Sequence, residues 1–396
     1  MKQLAILGST GSIGRQCLSV VEALPGRFGV VALAAGGNLE ELVGQIERHK
    51  PEVVSVGDST KADELAARLK QKGIGSLPAI HYGREGMLAV GTNPRAEIVV
   101  SAAVGVVGLE ATYEAVKLGR TIALSNKEVL VAAGELVMAA VEKSGKELLP
   151  VDSEHNAVHQ CLRAGDHREV TRLVLTASGG PFRNTPLKDL GKVSVEQALA
   201  HPNWKMGNRI TIDSATMMNK GFEVIEARWL FGMRPDQIDV AIHPQSTIHS
   251  MVEYVDGSIL AQLGPTDMRM PIQYALTYPE RVASNQVALD WSKLKRLDFE
   301  KASTRRYPCL RLAREAMKKG GALPCALNAA DEVAVAAFLD GKLPFLGIPE
   351  VVERVLGRTP RAKLQKMDDV LAADAEARRM AMEEVLSLAG RAKAAS

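Results

Sequence analysis

Two carboxylates, a hydroxyl and an imidazole follow one another in the segment LLPVDSEHNAV, residues 148–158. They come directly after an apolar run and belong to Asp152, Ser153, Glu154 and His155. Helix capping is one explanation, because Asp152 could cap a following helix and Glu154 would lie in its favourable first turn. Metal binding is the other explanation, since hard divalent ions prefer carboxylate oxygens as ligands.

A second polar cluster occurs in DSATMMNKGFEV, residues 213–224. Asn219, Lys220 and Glu223 are spaced three to four residues apart and would share one face of a helix. With Ser214, which ends the predicted strand RITIDS, they offer hydroxyl, amide and ammonium donors to a phosphate. Glu223 would repel that phosphate unless a cation lay between them. Three carboxylates without histidines at a strong metal-ligand spacing favour Mg²⁺ or Mn²⁺.

Three glycines, Gly8, Gly11 and Gly14, separate the apolar run LAIL from a stretch with helical periodicity. Glycines at such a turn let backbone N–H groups approach a pyrophosphate at the positive end of a helix. The spacing is G-x-x-G-x-x-G rather than G-x-G-x-x-G, and a plain glycine-rich turn is the alternative. The strand-turn-helix context favours dinucleotide binding.

The next apolar run, VVALAAG, ends in Gly36, Gly37 and Asn38 without a nearby acidic residue. An acidic residue at this point usually binds the ribose 2′-hydroxyl of NAD. Its absence removes the repulsion that a 2′-phosphate would meet, so the sequence predicts NADPH. We expect the backbone amides of Gly36 and Gly37, together with Asn38, to provide most of this preference. Asn38 also suits the N-cap of the next helix.

Three further motifs occur where strands or loops are predicted to end. SNKEV, residues 125–129, follows the strand TIALS at the edge where open α/β sheets bind ligands, although helix capping would also explain it. Ser178 and the two glycines after it could present amides to an anion. HPNWKMG, residues 201–207, has few helix signals, and its Trp204 predicts either a closing flap or a buried anchor.

The composition is that of a globular protein, with 46% apolar and 24% charged residues among 396. This length predicts two or three domains. The net charge of +3 is spread along the chain and aromatic residues make up only 4%, which argues against nucleic-acid binding. Four cysteines without C-x-x-C spacing indicate reduced thiols in the cytoplasm. The apolar runs are too short for a signal peptide or a membrane span.

The order of elements predicts how these groups are positioned. Up to residue 150, the apolar runs LAIL, VVALAAG, EVVSVG, EIVVSAA, TIALS and ELLPV alternate with amphipathic stretches, as in a parallel sheet covered on both faces. Residues 151–277 are mixed, with predicted strands TRLVLTAS, RITIDS and QIDVAIHP and a hairpin turning at Asp256-Gly257. Residues 278–304 lack periodicity, and the rest of the chain is predicted to be helical.

The motifs together resemble the 1-deoxy-D-xylulose 5-phosphate reductoisomerase family over nearly the whole chain. They are GSTGSIG, SNKE, VDSEHNA, SGGPFR, HPNWKMG, DSATMMNKG, IHPQS and ALNAADEVAVAAFL. The resemblance implies an α/β protein with a Rossmann-like parallel sheet domain for NADPH (1–150) and an α+β catalytic domain for metal and substrate (151–277). A linker (278–304) and a C-terminal α-helical bundle (305–396) would follow, usually in a homodimer. It also implies rearrangement of the ketose phosphate and reduction to 2-C-methyl-D-erythritol 4-phosphate in non-mevalonate isoprenoid synthesis.

The resemblance also implies roles for individual residues. The divalent ion (Mg²⁺, Mn²⁺ or Co²⁺) would be held by Asp152, Glu154 and Glu223. Catalysis would involve Lys127, Glu154, His201 and Trp204. The sugar phosphate would be bound by Lys127, Ser153, Glu154, Ser178, His201, Ser214, Asn219, Lys220 and Glu223. NADPH would contact Thr10, Gly11, Ser12, Ile13, Gly36, Gly37, Asn38, Asn126, Glu128 and Gly207. Many relatives carry a basic or polar residue where Gly37 stands.

Two other functions remain open from the residues themselves. A metal-independent dehydrogenase of a semialdehyde or sugar would keep its activity in the presence of a chelator. A non-catalytic NADP-sensing protein would not need clustered acidic, amide and basic groups outside the cofactor domain. Turnover of NADPH with the ketose phosphate would distinguish both from the reductoisomerase.

Overall fold

The computed structural model describes residues 1–204, 206–283 and 288–395, without the side chains of 391–395. Lys205 of the HPNWKMG motif and residues 284–287 of the predicted connecting segment lie outside the described residues. The chain forms two compact units. The first unit consists of Met1–Val129, Val137–Asn156 and Asp267–Val287, and the second of Leu130–Leu136, Ala157–Thr266 and Ala288–Ser396.

The first unit contains a seven-stranded parallel sheet with the order β4-β3-β2-β1-β5-β6-β7. Its strands are β1 (Lys2–Leu7), β2 (Phe28–Ala34), β3 (Val53–Val56), β4 (Ala79–Tyr82), β5 (Ile98–Ser101), β6 (Thr121–Leu124) and β7 (Leu148–Pro150). The intervening helices are α1 (Ser12–Ala23), α2 (Leu39–His49), α3 (Ser59–Gln71), α4 (Gly83–Gly91), α5 (Leu109–Lys117) and α6 (Glu128–Ser144). The parallel sheet predicted from the strand-helix alternation is confirmed.

The central strands of this sheet are apolar because both of their faces are covered. Leu4, Ile6 and Leu33 are fully buried and belong to one hydrophobic cluster. That cluster also includes residues of the later helix α11 (Arg269–Thr277). Strand β4 was missing from the sequence prediction. It is a short edge strand whose residues are mostly exposed, so it lacks the apolar pattern that marks the other strands.

The second unit contains a five-stranded mixed sheet with the order β11-β10-β8-β9-β12. Its strands are β8 (Val170–Ala177), β9 (Ile238–Ile242), β10 (Ile248–Tyr254), β11 (Ile259–Leu263) and β12 (Glu300–Lys301). Strands β8 and β9 are parallel, whereas β10 is antiparallel to both β8 and β11. The hairpin predicted at Asp256-Gly257 is confirmed between β10 and β11, and the Asp256 carboxylate accepts the Ser258 N–H at 2.9 Å.

The helices that complete the chain are α7 (Ser153–Leu162), α8 (Val195–Leu199), α9 (Asn208–Thr216), α10 (Met218–Phe231), α12 (Pro308–Lys319), α13 (Leu323–Leu339), α14 (Gly347–Arg358) and α15 (Met367–Ala395). The predicted helical C-terminal region is therefore confirmed. Within the second unit one hydrophobic cluster joins the sheet to this bundle, for example through Leu175, Phe222 and Leu327. No helix in the described ranges is long and apolar enough to cross a membrane.

The segment RITIDS was predicted as a strand, and this prediction is wrong. It lies in helix α9, where Ile212 and Ala215 are buried in the core of the second unit. The guanidinium of Arg209 fixes this helix to α13 by donating to Glu332 at 2.9 Å and to Asn328 at 3.0 Å. Tertiary packing thus overrides the β-propensity of the alternating Ile and Thr residues.

Candidate active site

The glycine-rich turn after β1 is open to an anion. Gly8 has a φ of +90°, and a Cβ at this position would lie 2.5 Å from the Ala102 carbonyl oxygen, so only glycine fits. Gly11 is the N-cap of α1 and has no side chain to occupy the first N–H groups of the helix. Gly11 and Ser12 are exposed, while Thr10 and Ile13 are half-buried. The turn therefore presents N–H groups and the positive helix end to solvent.

The loop after β2 leads into α2, as predicted. The Asn38 carboxamide oxygen accepts the Glu41 N–H at 3.2 Å, which confirms its role as the N-cap. Its amide nitrogen provides donors for another partner. Gly36 and Gly37 are exposed beside it, and a Cβ on Gly36 would meet no atom within 4 Å.

The ends of β6 and β7 bring Lys127 and Asp152 together. These strands are neighbours in the sheet, so the residues that follow them lie at the same edge. The Lys127 ammonium pairs with the Asp152 carboxylate at 2.6 Å, and its side chain is only 8% exposed. Asn126 donates to the Gly105 carbonyl oxygen at 2.7 Å and accepts the Glu128 N–H at 3.1 Å. Asn126 thus fixes the turn that presents Lys127.

The acidic segment gathers oxygen donors at the start of a helix. Helix α7 begins at Ser153, whose N–H donates to the Asp152 carboxylate at 3.2 Å. The Ser153 hydroxyl donates to Glu154 Oε2 at 2.5 Å. Asp152 and Glu154 are half-buried, not covered. Carboxylate and hydroxyl oxygens therefore lie together at the start of α7, a donor set that suits a hard cation.

In the second unit, His201 joins two serines that are distant in sequence. Its Nε2 lies 3.0 Å from Ser178 Oγ and 3.1 Å from Ser214 Oγ. Its Nδ1 accepts the backbone N–H groups of Asn203 at 3.2 Å and Trp204 at 3.0 Å. Because Nδ1 accepts, the neutral imidazole carries its proton on Nε2 and can donate it. Partial burial lowers the pKa of His201, which favours this neutral form.

The loop after β8 packs tightly against α9. Gly180 has a φ of +67°, and a Cβ there would lie 2.8 Å from the Ser214 carbonyl oxygen. The Gly180 N–H donates to Ser178 Oγ at 3.2 Å. Ser214 was expected at the end of a strand, but it lies near the C-terminal end of helix α9. It is this close approach of loop and helix that brings both serines to His201.

Asn219, Lys220 and Glu223 share one face of α10, as predicted. The Asn219 amide donates to Glu223 Oε1 at 2.6 Å, and the Lys220 ammonium pairs with Glu223 Oε2. Lys220 is 3% exposed and Glu223 is fully buried. Helix α10 starts after Met217, which has a φ of +63° and turns the chain sharply between α9 and α10.

The described residues of the tryptophan motif, 201–204 and 206–207, form a loop, as predicted. Trp204 is half-buried, and Gly207 is the exposed N-cap of α9. Asn203 had no predicted role, yet its amide donates to Ser246 Oγ at 3.0 Å and to the Pro244 carbonyl oxygen. The motif IHPQS contains both partners, but no periodicity in the sequence relates it to the loop 201–207.

Family models match most of the chain. A model described as "1-deoxy-D-xylulose 5-phosphate reductoisomerase" matches residues 4–134. The model of the C-terminal domain of the same enzyme matches residues 148–231, and the "DXP reductoisomerase C-terminal domain" matches residues 263–380.

Curated relatives and solved structures agree with these models. The 1-deoxy-D-xylulose 5-phosphate reductoisomerase of Solibacter usitatus is 52% identical over 97% of both chains, and that of Pelotomaculum thermopropionicum is 50% identical over 98% of this chain and 100% of its own. The Zymomonas mobilis enzyme, solved in complex with NADPH, superposes with a TM-score of 0.91 at 43% identity, covering 98% of this chain and 100% of that one. A DOX-P reductoisomerase in complex with NADPH, fosmidomycin and magnesium gives a TM-score of 0.91 at 38% identity, covering 97% of this chain and 98% of that one. The chain belongs to the 1-deoxy-D-xylulose 5-phosphate reductoisomerase family.

Proposed function

We propose that the chain is an NADP-dependent oxidoreductase that rearranges and reduces 1-deoxy-D-xylulose 5-phosphate. The product is 2-C-methyl-D-erythritol 4-phosphate, an intermediate of non-mevalonate isoprenoid synthesis. The observation that carries the proposal is the full-length likeness to the reductoisomerase solved with NADPH, fosmidomycin and magnesium. Its 38% identity extends over 97% of this chain.

Most of the contacts assigned to NADPH belong to residues of the first unit. The start of α1, where no side chain caps the helix, and the exposed Gly11 suit a pyrophosphate, because backbone N–H groups and the helix dipole both favour an anion. The pyrophosphate would contact Thr10, Gly11, Ser12 and Ile13, and the adenosine end would lie near Gly36, Gly37 and Asn38. Asn126, Glu128 and Gly207 complete the assignment by resemblance.

The divalent ion is assigned to Asp152, Glu154 and Glu223 by resemblance and by the chemistry of their oxygen donors. Oxygen ligands favour Mg²⁺ or Mn²⁺ over softer ions. A bound ion would polarise the carbonyl and adjacent hydroxyl of the substrate, and NADPH would supply the hydride for the final reduction. The ammonium groups of Lys127 and Lys220 pair with the carboxylates of Asp152 and Glu223.

The substrate phosphate is assigned to the second unit. The hydroxyls of Ser178 and Ser214 both lie beside His201 Nε2. Together the three side chains supply hydroxyl and N–H donors to an anion. Asn219 and Lys220 on α10 add an amide and an ammonium. Binding energy from the phosphate, which is remote from the reacting carbons, can be used to organise the site. Lys127, Ser153 and Glu154 are assigned to the substrate hydroxyls.

The loop 201–207 is assigned the role of a flap. His201 accepts two backbone N–H groups from this loop and also faces the assigned phosphate donors. A ligand at His201 would therefore be coupled directly to the position of Trp204. Closing the loop would exclude water before hydride transfer.

The remaining assignments concern location, assembly and domain roles. We propose a cytoplasmic homodimer that acts on a small sugar phosphate, and the four buried cysteine thiols suit a reducing compartment. We also propose that NADPH binding belongs to residues 1–150 and catalysis to residues 151–277. Residues 278–304 would act as a linker and residues 305–396 as a supporting helical domain.

The test is NADPH oxidation by the purified chain on addition of 1-deoxy-D-xylulose 5-phosphate and Mg²⁺. We expect oxidation that requires both additions and stops when EDTA is added. Oxidation that persists in EDTA would favour a metal-independent dehydrogenase. NADPH binding without turnover would favour a sensing protein.

A further inference from the structure

A lysine from outside the predicted cofactor motifs lies over the loop after β2. A Cβ built on Gly37 would be 3.3 Å from Lys61 Cε and 3.5 Å from its Nζ. A Cβ built on Gly57, just after β3, would be 3.4 Å from the same Nζ. The Lys61 ammonium thus lies between the backbones of two glycines. The side chain of any other residue at position 37 would contact the end of Lys61.

The protein fixes this arrangement through backbone contacts between the two loops. The Gly57 N–H donates to the Gly36 carbonyl oxygen at 3.0 Å. A Cβ on Gly57 would lie 2.8 Å from that oxygen, so glycine allows the close approach. Lys61 belongs to the first turn of α3, and its N–H donates to the N-cap Asp58 at 2.9 Å. The start of α3 is therefore held beside residues 36–38.

The Lys61 ammonium has a partner that a phosphate can replace. It pairs with Asp58 Oδ2 at 3.0 Å, and the two side chains are 39% and 51% exposed. Exposed pairs of this kind contribute little stability, so exchanging the partner costs little. A 2′-phosphate carries about −1.5 to −2 charges near neutrality, more than a carboxylate. Asp58 would still cap α3 through its other oxygen.

We propose that Lys61 supplies the charged side chain that recognises the 2′-phosphate of NADPH in this chain, in addition to the backbone amides of Gly36 and Gly37 and the Asn38 side chain. In Rossmann-like domains the ribose 2′ position lies at the end of the second strand, where an acidic or basic residue sets the preference. Here Gly37 offers no side chain at that place, and the ammonium arrives from α3 instead. The inference rests on the proposed use of NADPH and adds the group that recognises its phosphate.

The test compares cofactor binding to wild type and Lys61→Met, measured by calorimetry without substrate or metal. Methionine keeps a side chain of similar length over Gly37 but removes the charge. We expect the dissociation constant for NADPH to rise about fivefold, as for loss of one exposed cationic contact. The constant for NADH should not change. The weakening of NADPH binding by added salt should also be smaller in the variant.

Two further variants sharpen the comparison. Lys117→Met is the matched control, because Lys117 forms an equivalent i,i+3 pair with Glu114. This pair lies at the C-terminal end of α5, at the edge of the sheet opposite to the one that binds ligands. It should bind NADPH as wild type does. Gly37→Lys combined with Lys61→Ala should restore NADPH affinity by supplying the cation from the other loop.

An unchanged dissociation constant for NADPH in Lys61→Met would overturn the inference. An equal loss of NADH affinity would overturn it too, because the contact would then be to a group that both cofactors share. Turnover by wild type with NADPH and the ketose phosphate is measured alongside. Failure of that turnover contradicts the proposed function, whereas unchanged NADPH binding in the variant contradicts only the role of Lys61.

Discussion

His201 Nδ1 accepts the backbone N–H of Trp204 at 3.0 Å. One imidazole ring therefore holds the tryptophan loop with one nitrogen and faces Ser178 and Ser214 with the other. An anion that accepts a hydrogen bond from Nε2 will change the electron density and the position of the ring. The loop and the assigned phosphate donors are consequently one connected unit.

We predict that Trp204 fluorescence changes when the ketose phosphate or fosmidomycin binds. The measurement uses a chain in which Trp229 and Trp291 are replaced by Phe, so that Trp204 is the remaining indole. Trp291 is 69% exposed and should tolerate the change, whereas Trp229 packs against Gly134 and needs a check of thermal stability. Emission that is indifferent to saturating ligand would mean that Trp204 is a static anchor.

We predict that the structure of the tryptophan loop weakens as pH falls below the ordinary histidine pKa of 6.5. The folded protein holds His201 with a lowered pKa because burial disfavours the charged ring. As pH falls, His201 binds a proton in the unfolded chain or the opened loop before it does so in the folded protein. The contribution of His201 to stability is therefore present above pH 6.5 and is lost as pH falls towards the folded pKa. Protonated Nδ1 can no longer accept from Trp204.

The measurement is the emission of Trp204 and the thermal stability of wild type and His201→Gln, above and below pH 6.5. The wild-type values should depend on pH more steeply than those of the variant, which lacks the titrating ring. Identical pH profiles for the two proteins would exclude His201 as the responsible group.

We predict that Glu223→Gln lowers metal affinity and turnover together. The variant keeps the shape of the side chain but removes a charge from the assigned metal site. It also leaves the buried Lys220 ammonium without its carboxylate, which costs about 3–5 kcal/mol when a buried pair loses one partner. Metal affinity should therefore be measured well below the unfolding temperature of the variant.

The matched control is Asp331→Asn on α13, since Asp331 is also fully buried and is not an assigned metal ligand. Thermal stability does not distinguish the two variants, because both change a buried acid. Their Mg²⁺ affinities do. We expect only Glu223→Gln to weaken Mg²⁺ binding. Metal dependence that is unchanged in Glu223→Gln would remove this residue from the site.

Much of the fold follows from local pattern. Buried parallel strands must be apolar on both faces, so the strand runs of the first 150 residues identified the sheet. The same logic explains why β4 was missed, as it is an exposed edge strand. RITIDS was misassigned because Ile and Thr favour strands in isolation, while the contacts of Arg209 with α13 lie more than a hundred residues away in sequence.

The candidate site was predictable where topology alone brings residues together. Lys127 and Asp152 follow neighbouring strands, and Asn219, Lys220 and Glu223 share a helical face. The arrangement around His201 was not predictable, because it depends on the packing of Gly180 against α9. Nor does any spacing in the sequence relate Lys61 to Gly37, since their approach depends on a contact between two loops.

The central claim is that this chain couples a carbon-skeleton rearrangement to reduction. The most direct measurement is identification by NMR of the product formed from 1-deoxy-D-xylulose 5-phosphate, NADPH and Mg²⁺, with NADPH consumption recorded in the same sample. The account predicts 2-C-methyl-D-erythritol 4-phosphate in an amount equal to the NADPH consumed, and no product when EDTA is present. An unrearranged deoxypentitol phosphate, or product formation that continues in EDTA, would contradict it.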